Sequence, residues 1–270
     1  MKQILLINDV VGYGKVGMAA MLPVLSYMGV GAFNLPTALV SNTLDYGKYR
    51  VLETTGYMRS VIPVWRQLGF HFDAVCTGLM FSEEQAQVVA QFCRELSSQG
   101  TLIFVDPVMG DAGMLYNGIT DTQVELMREM VAVADLIFPN YTEACYLTGT
   151  PFRAEGISTQ EARQLTAALV KIGTKSAIIT SCLVDGKNAV CGYNHYDKSF
   201  FCHNYEEIPG VFHGTGDIFS AVLIAQLFRT DNLKKSTLAA MTAVREMILR
   251  HKDTTDPMCG LPIEQCLDLL

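Results

Sequence analysis

The 270-residue chain lacks most of the spellings that announce a chemical class. No C-x-x-C pair occurs among its eight cysteines, Cys76, Cys93, Cys145, Cys182, Cys191, Cys202, Cys259 and Cys266, which removes the common zinc and thioredoxin-like spacings. No G-x-x-x-x-G-K-[ST] occurs, so a P-loop is excluded, and H-E-x-x-H and G-x-S-x-G are absent too. Five histidines without a shared spacing give no metal case, and His213 reads as structural. No run of about 18 apolar residues is present to span a membrane. The first apolar run stops at Asn8 and Asp9, too short for a signal-peptide core. Charge is sparse at 17%, and its net value of -7 argues against a broad nucleic-acid or anionic-membrane surface. There is no low-complexity tract, Ser/Pro linker or internal repeat, so one domain over residues 1–270 is expected.

What is present is apolar: 50% hydrophobic residues and 22 glycines, enough for a large core and incompatible with disorder. Several cysteines lie inside apolar runs, such as Ala74-Val75-Cys76-Thr77, where cysteine acts as a small hydrophobe. Buried thiols and a reducing, cytoplasmic setting are the expectation.

Short apolar runs alternate with stretches of helical period, the pattern of an α/β fold with a mostly parallel sheet flanked by helices on both faces. Strands are expected at Gln3 to Asn8, Gly31 to Leu35, Ala74 to Thr77, Leu102 to Val105, Asp135 to Phe138 and Ser176 to Thr180. Helices are expected at Val16 to Met28, Thr55 to Leu68, Ser82 to Ser97, Thr120 to Ala132, Thr159 to Ile172, Gly214 to Phe228 and Leu233 to Arg250. A polar break follows at Asp253 to Pro257. Asn188 to Tyr205 reads as a hairpin turning at Tyr193 to Asp197. The glycine-rich stretch Pro107 to Gly118 is a long connection after a strand, the place where ligands of open α/β sheets bind.

Gly12-Tyr13-Gly14-Lys15-Val16-Gly17 spells the dinucleotide fingerprint. Yet no acid lies between Gly17 and Leu44 to hold a ribose, and three residues separate the strand from the first glycine. A glycine-rich turn is the better reading. The strongest signal is Gly214-Thr215-Gly216-Asp217 opening a long apolar helix. Its two glycines let backbone N–H groups converge, and with the helix dipole they would stabilise an anion. Asp217 then sits beside that anion hole, and a β-branched residue at Gly216 would hinder both the turn and the approach of phosphate.

This last signature resembles that of the ribokinase-like small-molecule kinases, and Asp106-Pro107-Val108-Met109-Gly110-Asp111 with Tyr116 resembles the pyridoxal and pyridoxamine kinase branch. Tyr13-Gly14 with Val16-Gly17, Ser41-Asn42 with Tyr46-Gly47, Thr77-Gly78, Pro139-Asn140 with Glu143, and Thr180-Ser181 extend the similarity along the chain. The resemblance implies a ribokinase-like fold and an ATP-dependent kinase acting on the hydroxymethyl group of a B6 vitamer: pyridoxal, pyridoxamine or pyridoxine. Asp217 would be the general base, with the amides of Gly214, Thr215 and Gly216 as the anion hole. Asn140 and Glu143 would organise Mg²⁺ around the ATP phosphates, Asp106 would join Glu143 at the metal, and Thr180 and Ser181 would lie near the nucleotide. Asp111 to Tyr116 would form a flap over substrate and nucleotide. Val16 would line the vitamer pocket with Asp9, Leu44 and Leu79, which stand where serine, threonine and tyrosine are usual. A homodimer and monovalent-cation dependence are further family expectations. Hydroxymethylpyrimidine kinase, or a non-catalytic ligand-binding relative, are the rival readings.

Overall fold

The computed structural model describes residues 1–253 and 256–270. The chain divides into two compact units, one made of Met1–Asp73 with Ile208–Leu270, the other of Ala74–Glu207.

The first unit begins with β1 (Gln3–Ile7) and β2 (Val10–Tyr13), then α1 (Met18–Tyr27), β3 (Gly31–Asn34), β4 (Ala38–Asn42), β5 (Val51–Glu53) and α2 (Thr55–Leu68). β1 and β3 pair in parallel. Ile4, Leu5, Leu6 and Ile7 are fully buried, the continuous apolar run of a strand covered on both faces. β2, β4 and β5 form a separate three-stranded sheet that the sequence pattern did not reveal. Its β4 alternates buried Ala38 and Val40 with exposed Leu39 and Ser41, so one face stays in solvent. Gly12 belongs to β2, and its Cβ position lies 2.9 Å from the Ser41 carbonyl oxygen, so the glycine serves strand pairing rather than a dinucleotide turn.

The second unit follows with β6 (Ala74–Thr77), α3 (Glu83–Ser98), β7 (Leu102–Val105), β8 (Gly110–Asp111), β9 (Met114–Leu115), α4 (Asp121–Val131), β10 (Leu136–Ile137), α5 (Tyr141–Thr148), α6 (Thr159–Ile172), β11 (Ser176–Val184), β12 (Lys187–Asn194) and β13 (Ser199–Asn204). β6, β7, β10 and β11 pair in parallel, while β12 and β13 add antiparallel strands as the expected hairpin. Four helices here close their N-termini with their own side chains: Ser82, Thr120, Asn140 and Ser158 each accept the N–H three residues on. The expected mostly parallel α/β architecture is therefore present. α5 was not foreseen; at 8 residues it is too short to show a helical period.

The chain then returns to the first unit with α7 (Thr215–Thr230) and α8 (Leu233–His251). The polar break falls partly on residues 254 and 255, outside the described residues. All eight cysteines are free thiols, and six are buried; Cys202 and Cys259 are half-buried.

Candidate active site

In the first unit the chemistry gathers where α7 begins. Gly214 adopts φ +77°, and the position of a Cβ there lies 1.9 Å from the Lys15 carbonyl oxygen. Only glycine lets the two backbones approach this closely. No side chain caps α7, so the positive end of its dipole remains available to an outside anion. Gly216 differs from the expectation: a Cβ there meets nothing within 4 Å, so the turn does not exclude a side chain at that position, and Gly214 is the sterically required glycine.

Asp217, in the first turn of α7, is half-buried and held from two sides. The Gly17 N–H donates to its Oδ2 at 2.8 Å and the Asn8 amide donates to its Oδ1 at 3.3 Å. Loss of solvent lifts its carboxyl to about 6, against the pull of those two donors. Asp9 is nearby and only 7% exposed. A Cβ on Gly17 would lie 2.6 Å from the Asp9 Oδ1, so the same glycine that binds Asp217 also makes room for the Asp9 carboxyl. Burial first, and the Asp217 charge second, push Asp9 to about 7. The Asn8 Oδ1 accepts the Asp9 N–H, so one asparagine braces both acids. Val16 is half-buried in the segment between these contacts, and the Lys15 N–H is tied to the Cys259 carbonyl at 2.7 Å. Leu44, by contrast, lies in a single 3-10 turn and is 41% exposed.

In the second unit the polar groups gather around α5. Asn140 caps that helix, and Glu143 completes a reciprocal capping box, its Oε2 accepting the Asn140 N–H at 2.8 Å. The other oxygen of Glu143 accepts the Met109 N–H at 3.0 Å, while the Asn140 amide donates to the Gly110 carbonyl at 2.8 Å. The loop after β7 is thereby fastened to the start of α5. Glu143 is buried, which pushes its carboxyl well above the ordinary range, although backbone N–H groups draw it back. Asp106 is half-buried just beyond β7, and Thr180 bridges to Asn140 in β11. Ser181 follows in a left-handed conformation, φ +53°, at an irregularity of the β11 ladder.

The stretch expected as a flap is the small hairpin of β8 and β9, turning at Ala112 and Gly113 with positive φ. The Gly113 N–H donates to the Thr142 hydroxyl, and the Tyr116 N–H to the Met109 carbonyl, both at 2.9 Å. A cleft of about 130 Å³ beside it is lined by Asp111, Tyr141, Thr142, Arg153 and Ser181 among others. Leu79 is half-buried in the loop after β6.

The family model for phosphomethylpyrimidine kinase matches residues 13–258. A Schizosaccharomyces pombe protein assigned as a pyridoxal kinase is 30% identical over 98% of this chain and 89% of its own length. The chain belongs to the phosphomethylpyrimidine and pyridoxal kinase family. Two solved structures of that family carry its fold. A Bacteroides thetaiotaomicron protein, described as a phosphomethylpyrimidine kinase and crystallised with pyridoxal, superposes with a TM-score of 0.93 at 32% identity, covering 99% of this chain and 95% of that one. Pyridoxal kinase from Lactobacillus plantarum gives 0.89 at 27% identity, covering 99% and 96%. The ribokinase-like fold expected from the kinase signatures is the fold found.

Within the family frame, sequence reasoning reached Asp217, Asp9, Asn140 and Glu143 but missed the residues that hold them. Asn8 was passed over as the end of a strand, and Gly17 was weighed as part of a dinucleotide spelling and of the kinase resemblance, without the role of its N–H. Thr142 and the Met109 N–H carried no signal at all, because a hydroxyl and a backbone amide acquire their meaning only once the β8–β9 hairpin packs on α5.

Proposed function

We propose that the chain transfers the γ-phosphoryl group of ATP to the hydroxymethyl group of a B6 vitamer, with Asp217 as general base. The observation that carries this reading is the pairing of an uncapped α7 N-terminus with an aspartate in its first turn, braced by the Gly17 N–H and the Asn8 amide. Phosphoryl transfer asks a protein for in-line positioning and charge stabilisation rather than covalent work. The Gly214, Thr215 and Gly216 amides would receive the charge of the transferred group. Asp217, ionised above about pH 6, would orient the acceptor hydroxyl and take its proton late in the transfer.

Nucleotide binding falls to Asn140, Thr180, Ser181, Asp111 and Tyr116 in this reading, with the β8–β9 hairpin as the cover that excludes water. Among the described residues no three or more His, Cys, Asp and Glu side chains converge as a metal cage. The half-buried Asp106 carboxylate just beyond β7 fits Mg²⁺, which is usually held by one or two carboxylates together with substrate phosphates. When bound, the ion would neutralise phosphate charge. Asp106 would be its carboxylate; Glu143, with both oxygens on backbone N–H groups, would position the Asp106–Gly110 loop from below. Glu143→Gln should then raise the Mg²⁺ concentration for half-maximal activity and lower stability by about 1–3 kcal/mol, since the amide must turn an NH₂ toward one of those N–H donors. An unchanged Mg²⁺ titration would remove Glu143 from this role. Monovalent-cation dependence is proposed on resemblance alone.

A homodimer and a cytoplasmic setting complete the reading. Exposed Leu39 and Leu52 face each other across β4 and β5, 47% and 63% exposed, and offer an apolar patch for a second copy. Free thiols throughout suit a reducing compartment.

The acceptor is tested by ATP-dependent phosphorylation of pyridoxal, pyridoxamine, pyridoxine and hydroxymethylpyrimidine in parallel. Turnover of hydroxymethylpyrimidine alone would favour the rival kinase; no turnover of any would favour a binder. The same assay tests Asp9 as the selector. Val10–Tyr13 form a strand rather than a turn for Asp9 to cap, so its carboxyl stays buried beside Asp217. A buried carboxylate favours a cationic acceptor, and pyridoxamine carries an ammonium where pyridoxal carries an aldehyde. Asp9→Ser should lower the kcat/KM ratio of pyridoxamine over pyridoxal; an unchanged ratio in an active variant makes Asp9 structural.

A further inference from the structure

Outside the kinase chemistry, the edge of the second unit's sheet brings two thiols together. β13 is the edge strand, and the antiparallel register sets Cys191 of β12 directly opposite Cys202 of β13. The phase of the ladder follows from one bond: the Tyr205 N–H donates to the Asn188 carbonyl at 2.9 Å, and these two residues are opposite each other in the same register. Hydrogen-bonded pairs alternate with non-bonded ones, so 188/205, 190/203 and 192/201 are bonded and Cys191/Cys202 is not. In a non-bonded pair the Cα atoms stand about 4.5 Å apart and the side chains are at their closest. That separation falls inside the range of roughly 4.4–6.8 Å over which a disulfide closes without moving the backbone. The sulfurs themselves are 2.8 Å apart.

We propose that Cys191 and Cys202 are an oxidation site, a cross-strand thiol pair that closes to a reversible disulfide when a peroxide reaches the half-buried Cys202. The electron count balances in two steps. The Cys202 sulfur attacks the peroxide, breaking its O–O bond and releasing one water to give a sulfenic acid. The Cys191 sulfur then displaces the second water, so two S–H bonds are exchanged for one S–S bond and the peroxide takes the two electrons. Cys191 is fully buried and its thiol is pushed far up by burial and by its neighbour, so it is not the first thiol to react. Its place is that of the resolving partner, held against the reactive sulfur. The nearest rival is Cys182, buried on β11, whose ladder partner is Ala189 rather than either cysteine.

The test uses the full chain, reduced with a phosphine and exposed to graded hydrogen peroxide, then alkylated, digested without reductant and mapped by mass spectrometry. The expected result is one linked peptide pair joining Cys191 to Cys202, lighter by two hydrogens, with two fewer alkylatable thiols per chain and full recovery on reduction. Cys202→Ser and, independently, Cys191→Ala should each abolish that product, so failure of one variant to fold leaves the other decisive. Sulfinic acid on Cys202 with Cys191 still alkylatable would overturn the proposal, as would a linkage through Cys182.

Discussion

Asp217→Asn should lower kcat by about 10²- to 10⁴-fold, the usual contribution of a positioned general base, while nucleotide affinity changes little. The substitution keeps size and one oxygen for the Gly17 N–H, while its NH₂ turns toward the Asn8 amide donor, a cost of about 1–3 kcal/mol in stability rather than a loss of the fold. What it removes is the ability to hold a proton from the acceptor hydroxyl. The pH profile gives a second readout. A carboxyl raised to about 6 is ionised above that pH and protonated below it, so wild-type kcat/KM should fall tenfold per unit below about pH 6. The residual activity of the asparagine variant should lack the Asp217 limb and keep only the titration of Asp9, whose carboxyl is raised to about 7. Near-normal turnover in the variant would remove Asp217 from the base role.

The second large effect is expected at Gly214. Gly214→Ala places a methyl where the Lys15 carbonyl oxygen lies 1.9 Å away, and it does so at φ +77°. Neither cost can be relieved by a rotamer, because alanine has none and the obstacle is backbone. Lys15 cannot retreat freely either, since its N–H is tied to the Cys259 carbonyl. Strain at a left-handed residue costs about 1–3 kcal/mol before the clash is counted. A destabilisation of that size lowers the melting temperature of a chain this long by roughly 2–6 °C. Gly216→Ala, two residues on, should melt close to wild type because its Cβ enters open space. Equal melting of the two variants would show that the close approach is not what selects glycine at 214.

The contrast between these glycines marks how far the sequence could be read. A G-x-G spelling before an apolar helix announces an anion-binding turn, but it does not tell which glycine is a conformational necessity and which leaves space for a ligand. The long-range partner decides that, and Lys15 is 199 residues earlier than Gly214 in the chain. The same holds for the sheets. Buried runs such as Leu102 to Val105 were legible because both faces are covered, whereas β2, β4 and β5, with exposed residues on one face or throughout, looked like loop. Glu143 was legible as an acid of a kinase signature, but its capping box, and the grip on Met109, needed the fold. Asp9 was visible as an unusual acid after the first strand; that Gly17 makes room for it was not.

Because the unit that holds Asp217 is assembled from segments on either side of the second unit, Met1–Asp73 and Ile208–Leu270, its birth on the ribosome is delayed. The Gly17 N–H and the Asp217 carboxylate are 200 residues apart in sequence. At roughly 5–20 residues per second, translation needs on the order of 10–40 seconds to bring the second within reach after the first has been made. Ala74–Glu207, by contrast, is one continuous stretch that can condense as soon as it emerges. The nascent chain therefore completes the second unit before the first, and a prematurely terminated product that ends before residue 217 lacks the general base of the proposed reaction.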